Sequence, residues 1–355
     1  MAVAKKKQEG LSRRASGPLS KPVSTLTVGA LEAALLAEVP ASDAEGWDRT
    51  GMTVGDPARL VEGVAVALDP TVDAVREAAS RGANVLLTHH PAYLEAPDAF
   101  GPASSVAANP GAGVWAAVEG GVALIALHTA LDVSPRAARV LPGMLKLAFK
   151  GQVLVPVAGS RRKGYGQLCT VRPEDDPLTL GRLAARCTSV FARAPRVWGD
   201  FSRELDRVVT CTGSAGDVAH ECLRAQADCL VCGEVKYHDA LALSQAGLCI
   251  VDLGHDTSEL PLVAVLADLA EHAGVPRERI SVIDQRENWS YPESIRVYGR
   301  GAAAPLFLCA CPKGACGYGI LKVKQATDER VLCRLTGTTW QRCCSCSRST
   351  WASRG

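Results

Sequence analysis

The chain has 355 residues, 47% of them hydrophobic and 21% charged, with a formal net charge of +2. That composition excludes a wholly disordered polypeptide and supplies enough apolar material for two lobes that each bury a core. It gives no strongly basic field to attract nucleic acid and no apolar stretch of the roughly 20 residues that a bilayer span needs.

Residues 1–23 carry Lys5-Lys6-Lys7 and Arg13-Arg14 among serines and prolines. With no apolar core of a secretory signal and no apolar helical stripe, they read as a disordered basic tail, and the cytoplasm is the expected compartment. A first α/β lobe is expected over 24–150. Its helix at 26–39 repeats Leu31, Leu35, Leu36 and Val39 before Pro40. A strand at 61–68, a helix at 71–81, a buried strand at 84–88, a helix ending at 114–119 and a strand at 122–127 follow. The same alternation resumes over 151–290 as a second lobe, with the boundary between Lys150 and Gly164. Helices are expected at 178–187, 218–226, 238–245 and 261–273, and strands at 208–211, 229–231 and 249–253. Strands alternating with helices define a layered α/β fold.

The texture changes at 291–355, where Cys and Gly rise and apolar periodicity fades. This segment is expected to be a Cys-rich basic extension, poorly ordered. Its cysteines (Cys309, Cys311, Cys316, Cys333, Cys343, Cys344, Cys346) lack the paired knuckles of common structural zinc sites. The seven cysteines of the body sit mostly among apolar neighbours and read as buried reduced thiols. Cys229 and Cys232 have redox spacing, but Leu230 and Val231 place them in an apolar strand, which weakens that reading.

Chemistry gathers at three expected strand ends. The run Val85-Leu86-Leu87-Thr88-His89-His90-Pro91 ends in two histidines, His128 and Asp132 follow the strand at 122–127, and His255 and Glu259 follow the strand at 249–253. Neutral imidazole and ionised carboxylate are ligands of zinc, iron or manganese, and a four-residue spacing lets two side chains meet on one helical turn. The carboxyl ends of strands are where α/β sheets gather ligands. Taken singly, each histidine could be a hydrogen-bonded structural residue and Glu259 a capping carboxylate. Their joint occurrence favours metal. Adjacent strand residues face opposite ways, so His89 and His90 reach one centre only if the strand stops there, as Pro91 makes plausible; otherwise they serve two neighbouring metals.

The segments resemble the NIF-three-like family, also known as GTP cyclohydrolase I type 2 homologs. The run from Trp47 to Asp56 is similar to its W-D-N-x-G-L-x-V-G-D, and the histidine pair to its T-H-H-P. The stretch His128–Asp132 is similar to H-T-N-L-D, the run from Gly233 to Ala240 to G-D-V-K-Y-H-D-A, and that from Gly254 to Glu259 to G-H-Y-x-S-E. The resemblance spans about residues 26–289. It implies a two-lobed α/β fold with a dinuclear centre between the lobes, two divalent metal ions per subunit, and a homohexamer. Carried over by position, the ligands are His89, His90, Asp132, His255 and Glu259, with His128 near the centre. Arg49 replaces the family's Asn, Ala130 another Asn, and Asp256 its aromatic residue; Val133-Ser134-Pro135 stands where Gly-Gly is usual.

The implied activity is metal-dependent hydrolysis of a nucleotide-like or phosphorylated small molecule. Glu234 and His238 are the candidate acid and base, and Lys236 could meet a phosphate; all three could equally form a solvated turn and helix cap. The turn at 211–217 follows a strand and precedes a helix, so it could either cradle an anion or simply turn the chain. The alternative class is a non-catalytic metal-binding scaffold or regulator acting through protein partners.

Overall fold

The computed structural model describes residues 25–290 except Glu287, together with the backbone of three short strands farther on. The expectations for 1–23, and those for 291–355 apart from these strands, lie outside the described residues. In that later part, β14 (Lys322–Lys324), β15 (Leu332–Arg334) and β16 (Gln341–Arg342) pair antiparallel, in a unit separate from the body.

The body opens with α1 (Val28–Glu38), β1 (Gly51–Val54), β2 (Val64–Ala67), α2 (Val72–Ser80) and β3 (Val85–Thr88). Next come α3 (Ala112–Gly120), β4 (Ala123–Ala126), α4 (Thr129–Asp132) and α5 (Val140–Met144). Thr27 and Thr71 start α1 and α2 by accepting the amide protons of Ala30 and Ala74, both at 3.1 Å, which satisfies donors that an uncapped helix leaves orphaned.

The chain continues through β5 (Ala148–Pro156), β6 (Gly164–Thr170), β7 (Leu178–Thr179), α6 (Leu180–Phe191), β8 (Arg196–Trp198), β9 (Glu204–Leu205) and β10 (Arg207–Ser214). Then follow α7 (Val218–Arg224), β11 (Cys229–Glu234), α8 (Tyr237–Gln245), β12 (Cys249–Asp252), α9 (His255–Glu259), α10 (Leu262–His272) and β13 (Ile280–Val282).

Two sheets organise these elements. The first runs β1-β4-β3-β2-β13, parallel except for β1. Every residue of β2, β3 and β4 is buried, because helices cover both faces. Val64, Val66, Val85 and Leu87 face a core shared with α1 and α10, while Ala65, Ala67 and Leu86 face one shared with α2 and α3. The second sheet runs β5-β6-β10-β11-β12-β8, with β10, β11 and β12 parallel and the outer strands antiparallel. The mixed α/β class expected from sequence is the fold observed.

The boundary expected between Lys150 and Gly164 falls in the hairpin joining β5 to β6, whose strands form a ladder at the edge of the second sheet. The first sheet also draws on later residues. Leu262, Leu266 and Leu269 of α10 complete its core, and β13 pairs with β2. Its membership is therefore not confined to 24–150. All seven body cysteines are free and buried. Cys229 and Cys232 face opposite sides of β11, one in each core of that sheet, so this C-x-x-C cannot close a disulfide. Among the described residues no helix is long and apolar enough to cross a membrane.

Candidate metal centre

The strand β3 stops at Thr88, whose hydroxyl donates to the His90 carbonyl at 2.7 Å and turns the chain. That stop removes the strand's alternation, and both imidazoles turn to the same side with ring centroids 5.0 Å apart. His128 precedes the single turn of α4, which carries Asp132. In the second sheet, Gly254 takes a φ of +93°, which a residue with a Cβ adopts only with strain, and opens α9. One helical turn then brings His255 Nε2 to 3.2 Å from Glu259 Oε2.

These elements meet in one cluster. The ligand atoms of His89, His90 and His128 lie within 4.8 Å of one another, as do those of His90, His255 and Glu259, and those of His89, Asp132 and Glu259. Glu259 Oε2 is 3.0 Å from His90 Nε2, and His89 Nε2 is 3.6 Å from both Glu259 Oε1 and Asp132 Oδ1. Despite these short distances, His89 Nε2 and Glu259 Oε2 are buried without a hydrogen-bond partner.

The other ring nitrogens explain why. His89 Nδ1 lies 3.2 Å from the Leu127 carbonyl, His90 Nδ1 2.7 Å from Asp69, and His128 Nδ1 2.8 Å from Asp48. A carbonyl or an ionised carboxylate only accepts, so Nδ1 carries the proton and the neutral ring turns the Nε2 lone pair inward. His255 Nδ1 stands 3.3 Å from Glu234. Asp48 is itself fixed, accepting the Thr129 amide proton at 3.1 Å and the Thr50 hydroxyl proton at 2.9 Å. Thr212 donates to Asp132 at 3.1 Å.

Glycine makes room for the carboxylate. Gly213, with φ +59°, sits so close that an added Cβ would stand 2.2 Å from Glu259 Oε1. Its amide donates to Ser258 Oγ at 2.9 Å, and the Ala215 amide to the Glu234 carbonyl at 2.9 Å. The turn at 211–217 thus spends these amides on packing against α9 and β11, which is the chain-turning reading.

Electrostatics of the bare cluster follow from these contacts. Burial opposes charge on His90, but its hydrogen bond to Asp69 and the Glu259 carboxylate beside it win and raise its pKa to about 10. The Glu259 contact likewise raises His255, to about 9, against burial. Burial also opposes charge on His89, and Asp132 and Glu259 overcome it. Glu259, despite burial, is held well below the carboxylate range by the surrounding histidines, whereas burial pushes Asp132 up. Asp48 goes far below its ordinary value despite burial, through its bonds to His128 and Thr129. Buried negative charge faced by several imidazoles is a donor set that fits a divalent cation.

Residues 26–288 match the sequence profile described as Duf34/NIF3 (NGG1p interacting factor 3). The chain belongs to that family. A relative from Streptomyces coelicolor, named GTP cyclohydrolase 1 type 2 homolog, is 33% identical over 237 residues, covering 64% of this chain and 80% of the relative. A namesake from Clostridium acetobutylicum is 24% identical over 236 residues, 66% of this chain and 85% of the relative. Staphylococcus aureus protein SA1388 superposes with a TM-score of 0.65 at 22% identity, covering 76% of this chain and all of that one. A Bacillus cereus protein related to NIF3 gives 0.63 at 18% identity, covering 74% and 97%. These two likenesses speak to the fold.

Of the residues singled out in the sequence, His89, His90, His128, Asp132, His255 and Glu259 come together. Glu234 stands at the rim beside His255. Lys236 and His238 are exposed at the start of α8, His238 against the Tyr237 ring at 5.4 Å, outside the cluster. Asp48 lies in the tryptophan motif and Thr212 and Gly213 in the turn at 211–217, but neither motif assigns them to the cluster, and nothing in the sequence marks Asp69.

Proposed function

We propose that this Duf34/NIF3 protein is a metal-dependent hydrolase with a dinuclear centre, acting on a nucleotide-like or phosphorylated small molecule. The observation carrying this reading is the pair of buried, unpartnered atoms, His89 Nε2 and Glu259 Oε2, amid imidazoles whose Nδ1 atoms are tied to oxygens outside. In this reading His89, His90, Asp132, His255 and Glu259 would hold the cations, with His128 beside them. A divalent cation there supplies Lewis acidity and makes water acidic near neutral pH.

The chain's own groups do the rest. Asp69 and Asp48 keep His90 and His128 in the tautomer that presents Nε2. Glu234, beside His255 and half exposed, is the group best placed to take or return a proton. Lys236 and His238 lie on the neighbouring turn, where Lys236 meets a substrate phosphate and His238 is the second proton carrier. The same reading includes a cytoplasmic homohexamer, the assembly that the sequence resemblance implies.

The experiment is an activity screen on protein loaded with zinc, manganese or iron, with GTP and related phosphorylated compounds as substrates. Turnover is expected in the wild type and lost in His90→Ala, with metal content measured alongside. Metal bound without turnover across the panel would overturn the hydrolase and leave the scaffold or regulator that acts through protein partners.

A further inference from the structure

The residues after β13, 283–286 with 288–289, contact the chain beside His90 and the turn that carries His255 and Glu259, without containing any candidate ligand. They leave the first sheet with the Ile283 amide bonded to the Val66 carbonyl at 2.9 Å. Gln285 then turns into the structure and is 5% exposed. Its Oε1 accepts the amide protons of Leu68 and Asp69 at 2.8 and 2.9 Å, and its Nε2 donates to the Asp69 carbonyl at 2.9 Å. One side chain therefore fixes the backbone of residues 68 and 69 at three points, two of them on Asp69. The carboxylate of that residue holds His90 Nδ1, and the His90 amide bonds the Leu68 carbonyl at 2.9 Å.

At its other end the segment reaches α9. Trp289 Nε1 donates to Asp256 Oδ2 at 2.9 Å, and Arg193 donates to the same oxygen at 2.7 Å and to Thr257 Oγ1 at 3.0 Å. The Arg193 guanidinium lies over the Trp289 ring at 4.3 Å and also donates to the Arg286 carbonyl. Asp256 and Thr257 sit between His255 and Glu259 on the one turn that carries both. This is the position where the family motif has an aromatic residue and this chain has a carboxylate with two donors fitted to it.

We propose that Gln285 and Trp289, near the end of the described body, act as a strap that sets the spacing of the metal centre, Gln285 positioning His90 through Asp69, and Trp289 positioning His255 and Glu259 through Asp256. The strap ties the β3 ligands and the α9 ligands, which belong to different sheets, to one short piece of chain. Gln285 and Trp289 are positioning residues, since neither reaches the cluster. The inference rests on the metal reading above.

The test measures cobalt(II) affinity by chelator competition, the visible absorption band of the bound cobalt, and thermal unfolding of the metal-free protein, for full-length wild type, Gln285→Ala and Trp289→Phe. Orienting partners of metal-binding histidines change affinity by about 10- to 100-fold, and Gln285→Ala is expected in that range with an altered cobalt band. Trp289→Phe keeps an aromatic ring beside Arg193, removes the indole N–H that reaches Asp256, and alters a side chain already 43% exposed, so it should fold and show a smaller loss of affinity. Unchanged cobalt affinity and band in the variants, even with a lowered melting temperature, would overturn the strap's positioning role. Wild-type protein that takes up no cobalt would instead overturn the metal reading itself.

Discussion

Replacing Gly213 by alanine tests the centre without removing a ligand or a charge. The residue has φ +59°, and a Cβ there would lie 2.2 Å from Glu259 Oε1 and 3.5 Å from His255 Nε2. Ordinary contact begins near 3.4 Å, so the carboxylate has to give way by about 1.2 Å. It has little freedom to do so, being 3% exposed with its other oxygen between His90 and His255. Disturbing an oriented carboxylate in a site of this kind is expected to weaken metal binding by about 10- to 100-fold. The left-handed backbone adds roughly 1–2 kcal/mol of destabilisation once a Cβ is present. For a body of this size that lowers the melting temperature by roughly 2–8 °C. Calorimetric zinc titration of metal-free Gly213→Ala, beside a thermal scan, reads both numbers. Wild-type zinc affinity together with a lowered melting temperature would refute the reasoning, because the strain would then have been relieved away from Glu259.

Two further outcomes follow from the same geometry. Asp69→Asn keeps an oxygen for His90 Nδ1 but removes the charge behind it, and zinc affinity should fall by about 10- to 100-fold with little change in fold, as equilibrium dialysis and circular dichroism would show. Binding at pH 7 should release protons, because His90 and His255, raised to about 10 and about 9 in the bare cluster, must be neutral to act as ligands. Both folded values lie above the unfolded one. Their contribution to metal-free stability is therefore full below about pH 6.5 and lost as pH rises through 9 to 10, while metal affinity climbs over that window. Zinc titrations in buffers of different ionisation enthalpy would expose the release; identical heats across buffers would contradict it.

The ligands were legible in the sequence because each sits at the end of an apolar run short enough to be a strand, and Pro91 marked where the histidine pair leaves the ladder. The groups that orient them were not. Asp69 and Gln285 are joined across most of the chain, and no periodicity marks a pairing made only by tertiary folding. The strands β5 and β6 escaped for a different reason. Its edge position leaves β5 largely half-exposed, and an irregularity between Phe149 and Val153 breaks its alternation, so the partner β6 had no neighbouring strand to announce the hairpin. With only three residues, β13 carries too little pattern to announce a strand, and nothing local says that it belongs beside β2.

That placement of β13 has a consequence for the order in which the protein can be made. When synthesis has passed β4, four strands of the first sheet exist, but the fifth and the helix that seals its face are still unmade. Val64, Val66, Val85 and Leu87 must wait, uncovered by α10, while the whole second sheet is threaded out between them and their cover. The histidines of β3 are thus among the first chemistry to be translated, and their surroundings are among the last to close.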